Sequence, residues 1–94
     1  MEFEWDEAKN RRNTAKHHCS FEEAKGVFLD KHRIIKFDAV HSASEPRYFC
    51  YGKTAGGRIL TVRFTPRGSA VRIIGAGEWT KGKEVYAQEN QKNQ

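Results

Sequence analysis

The sequence RILTVRFTPRGSAVRIIGA, residues 58–76, decides the fold. Two apolar runs, 58–65 and 70–76, flank residues 66–69, whose sequence PRGS is typical of a turn. In each run, apolar side chains recur at every second position, as expected for a strand with one buried face. The predicted core side chains of the first run are Leu60, Val62 and Phe64. The stretch therefore predicts two antiparallel strands joined by a four-residue turn.

The residues that precede this hairpin predict two more strands. Residues 33–38 and 46–52 are rich in β-branched and aromatic side chains, which favour strands. Gly56-Gly57 marks a turn between the second of these strands and the hairpin. The three strands that begin at residue 46 therefore predict an antiparallel meander.

Helices are predicted near the N-terminus. A short strand near Phe3 is followed by Asp6, a good N-cap for a helix that ends near His17. Ser20, with Glu23 three residues later, predicts a capping box at the start of a second helix. The predicted apolar face of this second helix comprises Phe21, Ala24, Val27 and Phe28.

The element order β-α-α-β-β-β-β-α predicts an α+β fold, because the helices are grouped before and after the strands. The last helix is predicted over residues 78–89, and the polar tail from about residue 88 is expected to fray. We expect a single domain over residues 1–94, with one sheet face packed on helices and the other face open.

Charge is distributed unevenly along the chain. The net charge is +5, and residues 46–77 contain six basic residues and no acidic one. These six are Arg47, Lys53, Arg58, Arg63, Arg67 and Arg72. A stretch of one sign in a folded domain attracts polyanions, and the alternative is a solvated basic surface without a ligand.

Other features of the sequence narrow the class of protein. No apolar run approaches the roughly 20 residues that span a membrane, and the acidic N-terminal residues are unlike a secretory signal. Cys19 and Cys50 have neither a metal-ligand spacing nor the pattern of a disulfide framework. We therefore expect a cytoplasmic protein that uses no metal or other cofactor.

Strand counting predicts where the basic side chains lie. If Thr65 and Ala70 close the turn, Arg63 lies opposite Arg72, and the preceding hairpin places Arg47 opposite Arg63. Like charges directly opposite each other destabilise a sheet by a few tenths to about 1 kcal/mol, so the open face is expected to meet an anion. Guanidinium groups bind phosphate bidentately, which favours a nucleic acid.

Aromatic side chains are interleaved with these arginines. Phe49 and Tyr51 are predicted to share the face of Arg47, where the bases of single-stranded RNA could stack on their rings. The alternative is that both rings pack beneath a helix or a loop.

The candidate catalytic residues are chosen by what RNA cleavage requires. Attack by the 2′-hydroxyl needs a base, an acid and cations that stabilise the charged phosphorane. Six residues could transfer protons, namely His17, His18, His32, His41, Glu84 and Tyr86. The selected catalytic residues are Arg63, Arg72, His17 and Tyr86. The arginines would hold the scissile phosphate, and either His17 or Tyr86 would transfer protons. The predicted RNA-binding residues are Arg47, Lys81, Phe49 and Tyr51.

A long motif opens the chain at residues 3–24, FEWDEAKNRRNTAKHHCSFEEA. It contains Trp-Asp-x-x-Lys, then Asn-x-x-Lys-His, then Ser-Phe-Glu-Glu-Ala. The motif residues are Trp5, Asp6, Lys9, Asn13, Lys16, His17, Ser20, Phe21, Glu22, Glu23 and Ala24. Together with residues 71–77, VRIIGAG, which match the position of a last strand, this segment resembles the BrnT family of toxins.

The resemblance implies a RelE-like fold and an endoribonuclease that stops translation by cutting RNA in the cytoplasm. It also implies a cognate antitoxin, usually BrnA-like and DNA-binding, that neutralises the toxin. Two positions depart from the family pattern, since Gly77 and Gly82 stand where an arginine and a glutamate are usual. Either other side chains carry the chemistry, or the protein binds RNA without cutting it efficiently.

Two other functions stay open on the sequence alone. The basic face could bind RNA or an acidic partner segment without chemistry. It could also serve mainly as the docking surface for the antitoxin, which would require an exposed apolar patch beside the arginines. The residues predicted to supply that patch are Ile59, Ile74, Phe49 and Tyr51.

Overall fold

The computed structural model describes residues 1–92, and in that range it contains five strands and three α-helices. The strands are β1 (Glu2–Glu4), β2 (Ile34–Phe37), β3 (Tyr48–Lys53), β4 (Ile59–Arg67) and β5 (Ala70–Gly77). The helices are α1 (Glu7–His17), α2 (Phe21–Ala24) and α3 (Thr80–Gln91), and a 3-10 helix, Lys25–Leu29, continues α2. The predicted α+β class and element order are confirmed, and the RelE-like assignment is compatible with them.

The five strands form one sheet in the order β1-β5-β4-β3-β2. β1 is parallel to β5, and all other neighbours are antiparallel, so the predicted meander of β3, β4 and β5 is confirmed. β2 is an edge strand, and its Ile35 and Phe37 side chains are 48% and 57% exposed. The helices that precede the sheet therefore leave this edge uncovered.

The edge of β5 beyond β1 is closed by a side chain of α1. β1 pairs only with the first three residues of β5. Farther along, Asn13 Nδ2 donates to the carbonyl of Ala76 (2.8 Å), and Asn13 Oδ1 accepts from the Ala76 N–H (3.2 Å). Asn13 Nδ2 also donates to the carbonyl of Cys19 (2.7 Å). The amide thus pairs with β5 as a strand would.

The core lies between one face of the sheet and the helical segment that precedes β2. The predicted core residues of β4 are buried, and so is the whole predicted apolar face of the second helix. Both cysteines lie in this core as free thiols. Burial raises the pKa of Cys19 to about 11 and that of Cys50 to about 12. Both thiols are therefore protonated at neutral pH.

The predicted helix caps form with one change. Asp6 caps α1 by accepting from the Lys9 N–H (3.2 Å), and Ser20 caps α2 by accepting from the Glu23 N–H (3.0 Å). The Glu23 carboxylate instead binds Arg58 (2.6 Å). Only the Ser20 half of the predicted capping box is therefore present, because the Glu23 carboxylate binds Arg58, the residue before β4.

The prediction of a frayed tail from residue 88 is wrong for residues 88–91, and residues 93–94 lie outside the described range. Asn90 Nδ2 donates to the carbonyl of His32 (3.1 Å) and to that of Tyr86 (2.8 Å). Lys36 and Glu89 form an ion pair (3.0 Å) between β2 and α3. These contacts hold the end of α3 against the sheet.

The predicted four-residue turn is wrong, because β4 continues through Pro66 and Arg67. Arg67 pairs with Ala70, and only Gly68 and Ser69 form the turn. Gly68 has φ 59°, which suits the first central position of a type II′ turn. β3 does not extend beside Pro66, because its first residue, Tyr48, pairs with Phe64. No neighbouring strand therefore needs the N–H that Pro66 lacks.

A β-bulge shifts the pairing between β4 and β5. Arg63 pairs with Gly75, and the next pair is Phe64 with Ile73, so Ile74 is the extra residue. The register of β4 and β5 therefore differs on the two sides of Ile74. Counting residues back from the turn assumes one register and could not predict this change.

The predicted row of three arginines across the sheet is wrong. Arg63 faces Phe49 in β3, Arg72 faces Thr65, and Arg47 lies before the start of β3. The β3–β4 register differs from the predicted one by two residues. An even shift keeps each side chain on its face, so the predicted faces survive although the predicted partners do not.

The second face of the sheet is partly covered, because α3 packs on β3 and β4. Gly82 of α3 is buried against Thr61 and Tyr51. The prediction of a fully open face is therefore corrected to a face with a helix over part of it.

Candidate functional site

A cavity of about 230 Å³ lies on the second face, beside the start of α3. We call it the Arg63 cavity. It is lined by Phe49, Tyr51, Thr61, Arg63, Trp79, Lys81 and Gly82. Four of these residues, Arg63, Lys81, Phe49 and Tyr51, were predicted site residues, and the structure brings them together. The cavity combines mostly apolar walls with two cations.

Arg63 lies across the neighbouring strand. A Cβ at Gly75 would be 3.0 Å from Arg63 Nη2 and 3.3 Å from Arg63 Nε, so the guanidinium rests where glycine leaves room. Within residues 1–92, Arg63 makes neither an ion pair nor a side-chain hydrogen bond. It is a half-buried cation whose five N–H donors are free for a ligand.

The aromatic walls of the cavity come from β3 and from the loop before α3. The rings of Phe49 and Tyr51 lie with centroids 5.9 Å apart at 31°. Burial raises the pKa of Tyr51, so its phenol stays protonated at neutral pH. Trp79 is 40% exposed, and its ring meets that of His17 edge to face with centroids 5.1 Å apart. Flat surfaces of this kind suit nucleobases.

The two glycines that depart from the expected pattern allow this packing. A Cβ at Gly77 would lie 2.5 Å from Cη2 of Trp79, so the indole occupies the space that a side chain would need. A Cβ at Gly82 would collide with Oγ1 of Thr61. The floor and wall of the cavity therefore depend on glycine where the resemblance implies an arginine and a glutamate.

Two other predicted site residues, both arginines, have carboxylate partners elsewhere in the fold. Arg72 Nη1 donates to Glu4 (2.8 Å), and Arg47 Nη2 lies 3.6 Å from Glu45. Neither arginine lines the Arg63 cavity. Glu4 lies 68 residues from Arg72 in sequence, whereas Glu45 lies just before the basic stretch.

Tyr86 is also held away from the cavity. Its hydroxyl donates to Oδ2 of Asp30 (2.6 Å), next to the backbone N–H groups of His32 and Lys53 that bind the same carboxylate. Burial, and then the hydrogen bond to Asp30, raise the pKa of Tyr86 to about 12. Burial alone would raise the pKa of Asp30, but hydrogen bonds led by that from Tyr86 lower it.

Four of the six cations in the basic stretch at residues 46–77 pair with carboxylates that lie outside it. Its ion-paired arginines are Arg47, Arg58, Arg67 and Arg72. Only Arg63 and Lys53 of the six make no ion pair within the described chain. The predicted attraction for anions is therefore concentrated at fewer positions than the sequence indicated.

Sequence reasoning missed Thr61 and Trp79 as wall residues. Thr61 precedes Arg63 by two positions on the same strand, and strand parity places it on the same face, although it was not predicted as a site residue. Trp79 follows a glycine-ended strand, and nothing in the spacing shows that its ring folds back over Gly77. The predicted apolar patch is also wrong in part, since Tyr51 is 8% exposed.

Residues 1–92 lack two features that would indicate other classes of protein. No group of three or more His, Cys, Asp or Glu side chains there is placed to hold a metal ion. No helix in the same range is long and apolar enough to cross a membrane.

Comparison with known proteins decides the family. A family model described as the ribonuclease toxin, BrnT, of type II toxin–antitoxin systems matches residues 5–83. The chain belongs to the BrnT family. The solved structure of the Brucella abortus ribonuclease toxin BrnT resembles it with a TM-score of 0.64 and 29% sequence identity. That match covers 85% of this chain and 97% of the other. No match was found among curated proteins.

Membership in the BrnT family confirms the predicted class of function. The chain is a ribonuclease toxin of a type II toxin–antitoxin system, a class that has an RNA target and an antitoxin partner. Most of the N-terminal motif that pointed to the family is structural in this fold. Asp6 and Ser20 cap helices, and Asn13 closes the edge of β5.

Proposed function

We propose that this BrnT-family chain is an endoribonuclease that cuts RNA at the Arg63 cavity by attack of the substrate's own 2′-hydroxyl. Arg63 holds the scissile phosphate, and Lys81 holds a neighbouring one. Phe49, Tyr51 and Trp79 supply ring surfaces on which bases stack. The protein's own cations, without a metal ion, stabilise the charge that develops on the phosphorane.

The observation that carries this proposal is the free guanidinium of Arg63. It lies in an aromatic-walled cavity beside a second cation, and it has no carboxylate partner in the described chain. By contrast, four arginines of the same basic stretch are ion-paired. A free guanidinium loses no internal ion pair when a phosphate arrives, and it can bind that phosphate bidentately.

His17 is the better placed of the two predicted proton-transfer residues. Its ring contacts Trp79, a wall residue of the Arg63 cavity. The hydroxyl of Tyr86 is instead engaged with Asp30. We therefore assign proton transfer to His17, which takes the 2′-hydroxyl proton as that oxygen bonds to phosphorus and passes it to the 5′-oxygen as the P–O5′ bond breaks. The products are a 2′,3′-cyclic phosphate and a 5′-hydroxyl. Arg72 and Arg47 keep their structural ion pairs.

Cleavage of cellular RNA by the purified protein in EDTA tests the proposal. Arg63→Ala should lower the rate by about 10²–10³-fold, as expected when one group that stabilises the transition state is removed. Arg67→Ala is the matched control, because it removes an exposed arginine from the same strand. If Arg63→Ala cleaves as fast as the unaltered protein, the proposed site is wrong.

A second candidate function is RNA binding without efficient cleavage. It is favoured by Gly77 and Gly82, where the indole of Trp79 and the hydroxyl of Thr61 leave no room for the side chains usual in the family. Under this function, the unaltered protein would bind RNA with strong salt dependence and yield no products. The EDTA assay therefore separates the two candidates directly.

We also propose that the antitoxin partner is BrnA-like and DNA-binding, and that the pair acts in the cytoplasm. Family membership supports both statements. Co-expression with a small ribbon-helix-helix protein encoded beside the toxin should restore growth and yield a complex that binds its own operator. Growth arrest that such a neighbour does not relieve would contradict this assignment.

A further inference from the structure

A second cavity, of about 280 Å³, lies beside α1. We call it the α1 groove. It is lined by Lys9, Arg12, Asn13, Lys16, His17 and Ile74. Lys9, Arg12 and Lys16 are exposed and follow one another at spacings of three and four residues, so they form a row along one side of the helix.

The cations of the molecule are not evenly paired. Of the 17 Lys and Arg residues, eight make an ion pair within residues 1–92 and nine make none. Five of these nine line the two cavities, namely Lys9, Arg12, Lys16, Arg63 and Lys81. The Asp6 carboxylate near Lys9 and Arg12 is already used as the cap of α1. Just over half of the unpaired cations in the described range therefore line these two cavities.

The two cavities are adjacent at two points. The Trp79 ring lines the Arg63 cavity and contacts the His17 ring, which lines the α1 groove. The Arg63 guanidinium rests on Gly75, and the next residue, Ile74, also lines the α1 groove. Because Ile74 is the bulged residue of β5, the bulge is what turns this wall toward α1.

We propose that the α1 groove is a second RNA subsite, which holds the phosphates of the strand that continues from the Arg63 cavity past Trp79. The row from Lys9 to Lys16 spans about 10 Å along the helix axis, at 1.5 Å per residue. A stacked strand advances about 3.4 Å per nucleotide, so the row reaches about three nucleotides. Continuity with the Arg63 cavity favours RNA over an acidic antitoxin segment as the occupant.

This inference rests on the proposed function, and binding at varied salt tests it separately from cleavage. The probe is a fluorescent single-stranded RNA of about 12 nucleotides, within the range of known single-strand sites. Its 2′-O-methyl groups prevent cleavage. A dinucleotide of the same chemistry fills only the Arg63 cavity. Lys9→Gln/Lys16→Gln is compared with Lys31→Gln/Lys53→Gln, which removes the same charge from unpaired lysines outside both cavities.

Each lost phosphate contact should lower the salt slope of single-strand binding by about 0.7, so the α1 pair should lower it by about 1.4. The control pair should leave the slope unchanged, and neither pair should alter dinucleotide binding. Arg63→Ala should weaken binding of both probes. If the double variant fails to fold, the single variant Arg12→Gln repeats the test. Arg11→Gln is then its control, because Arg11 is on the same helix but does not line the α1 groove.

The outcomes distinguish the two proposals. If the protein cleaves RNA and Arg63→Ala weakens binding, but the α1 variants keep the unaltered slope, the second subsite is wrong and the proposed function stands. If neither probe binds, both fail. If the α1 variants bind RNA normally but lose affinity for the antitoxin, the groove belongs to that partner and this inference is overturned.

Discussion

The side chain of Asn13 replaces a whole strand residue at the edge of β5. It satisfies both backbone groups of Ala76 and the carbonyl of Cys19, and both of these residues are buried. Apolar burial contributes little to the attachment of α1, because no residue of this helix is fully buried. A single amide therefore carries much of the contact between α1 and the sheet.

Asn13→Ala should lower the free energy of unfolding by about 2–4 kcal/mol, because it leaves buried backbone groups without partners. Thr14→Ala is the matched control, since Thr14 is exposed and bonds only within its own helix. This control should change stability by less than about 0.5 kcal/mol. Urea denaturation measures both, and equal stability of the two variants would contradict the role given to Asn13.

The Tyr86–Asp30 hydrogen bond makes a pH-dependent contribution to stability. The Tyr86 pKa is raised to about 12. Its contribution to the free energy of unfolding is therefore complete below the unfolded pKa of about 10 and is lost as pH rises through 12. The Asp30 pKa is lowered. Its contribution to the free energy of unfolding is therefore present above the unfolded pKa of about 3.9 and is lost as pH falls below that pKa.

Tyr86→Phe should therefore lower the free energy of unfolding by about 1–3 kcal/mol between pH 5 and pH 9. The difference from the unaltered protein should shrink between pH 10 and pH 12 in urea denaturation. Cleavage of RNA should be retained at pH 7. Loss of cleavage at unchanged stability would return Tyr86 to the proton-transfer role that the sequence left open.

At the scale of elements, the position of α3 depends on close contact at Gly82. Alanine favours a helix over glycine by about 1 kcal/mol, which alone would stabilise α3. A Cβ here, however, would collide with Oγ1 of Thr61 and come within 3.3 Å of the Tyr51 ring. Steric overlap in a packed interface costs more than the gain in propensity.

Gly82→Ala should therefore destabilise the protein by about 1–3 kcal/mol. Gly56→Ala serves as the control, since the nearest atom to its Cβ would be 3.8 Å away. Adding Thr61→Ala to Gly82→Ala removes the colliding hydroxyl and should recover part of the loss. Thermal unfolding followed by circular dichroism measures the series. A Gly82→Ala variant more stable than the parent would show that α3 is not packed as described.

Elements and faces could be predicted from the sequence because they depend on local periodicity. The alternation in β4 placed Leu60, Val62 and Phe64 in the core, and the same parity put Phe49 and Tyr51 on the face of Arg63. Such assignments survive a shift of two residues in register.

Registers and charge partners could not be predicted, because they depend on distant or irregular features. The bulge at Ile74 and the strand-forming Pro66 each change the pairing that a count from the turn gives. Arg72 pairs with Glu4, which is 68 residues away in sequence. Of the seven residues that line the Arg63 cavity, four were therefore predicted as site residues, and their arrangement was not.

At the scale of the whole molecule, net charge describes this protein poorly. The +5 total is the remainder after many ion pairs, and within residues 1–92 five of the nine unpaired cations line the Arg63 cavity or the α1 groove. Association with RNA depends on such local concentration of charge more than on the total.

The uncovered edge of the sheet is a whole-molecule feature with its own risk. The backbone N–H of Asp38 donates to the carbonyl of Arg47 (2.8 Å), so by the alternation of antiparallel pairs the backbone groups of Ile35 and Phe37 point away from β3. Free edge groups beside exposed apolar side chains promote pairing between chains and aggregation.

Ile35→Lys should therefore raise the concentration at which the purified protein begins to scatter light, because charge on an edge strand opposes such pairing. Val40→Lys adds the same charge at an 84% exposed apolar residue outside the strand and should help less. Equal benefit from both changes would attribute the effect to net charge alone.

This edge has a consequence for dosage in the cell. A toxin made faster than its antitoxin would begin to precipitate through the β2 edge, and the loss would grow more steeply than its concentration. Association through this edge would then limit the amount of soluble toxin that accumulates.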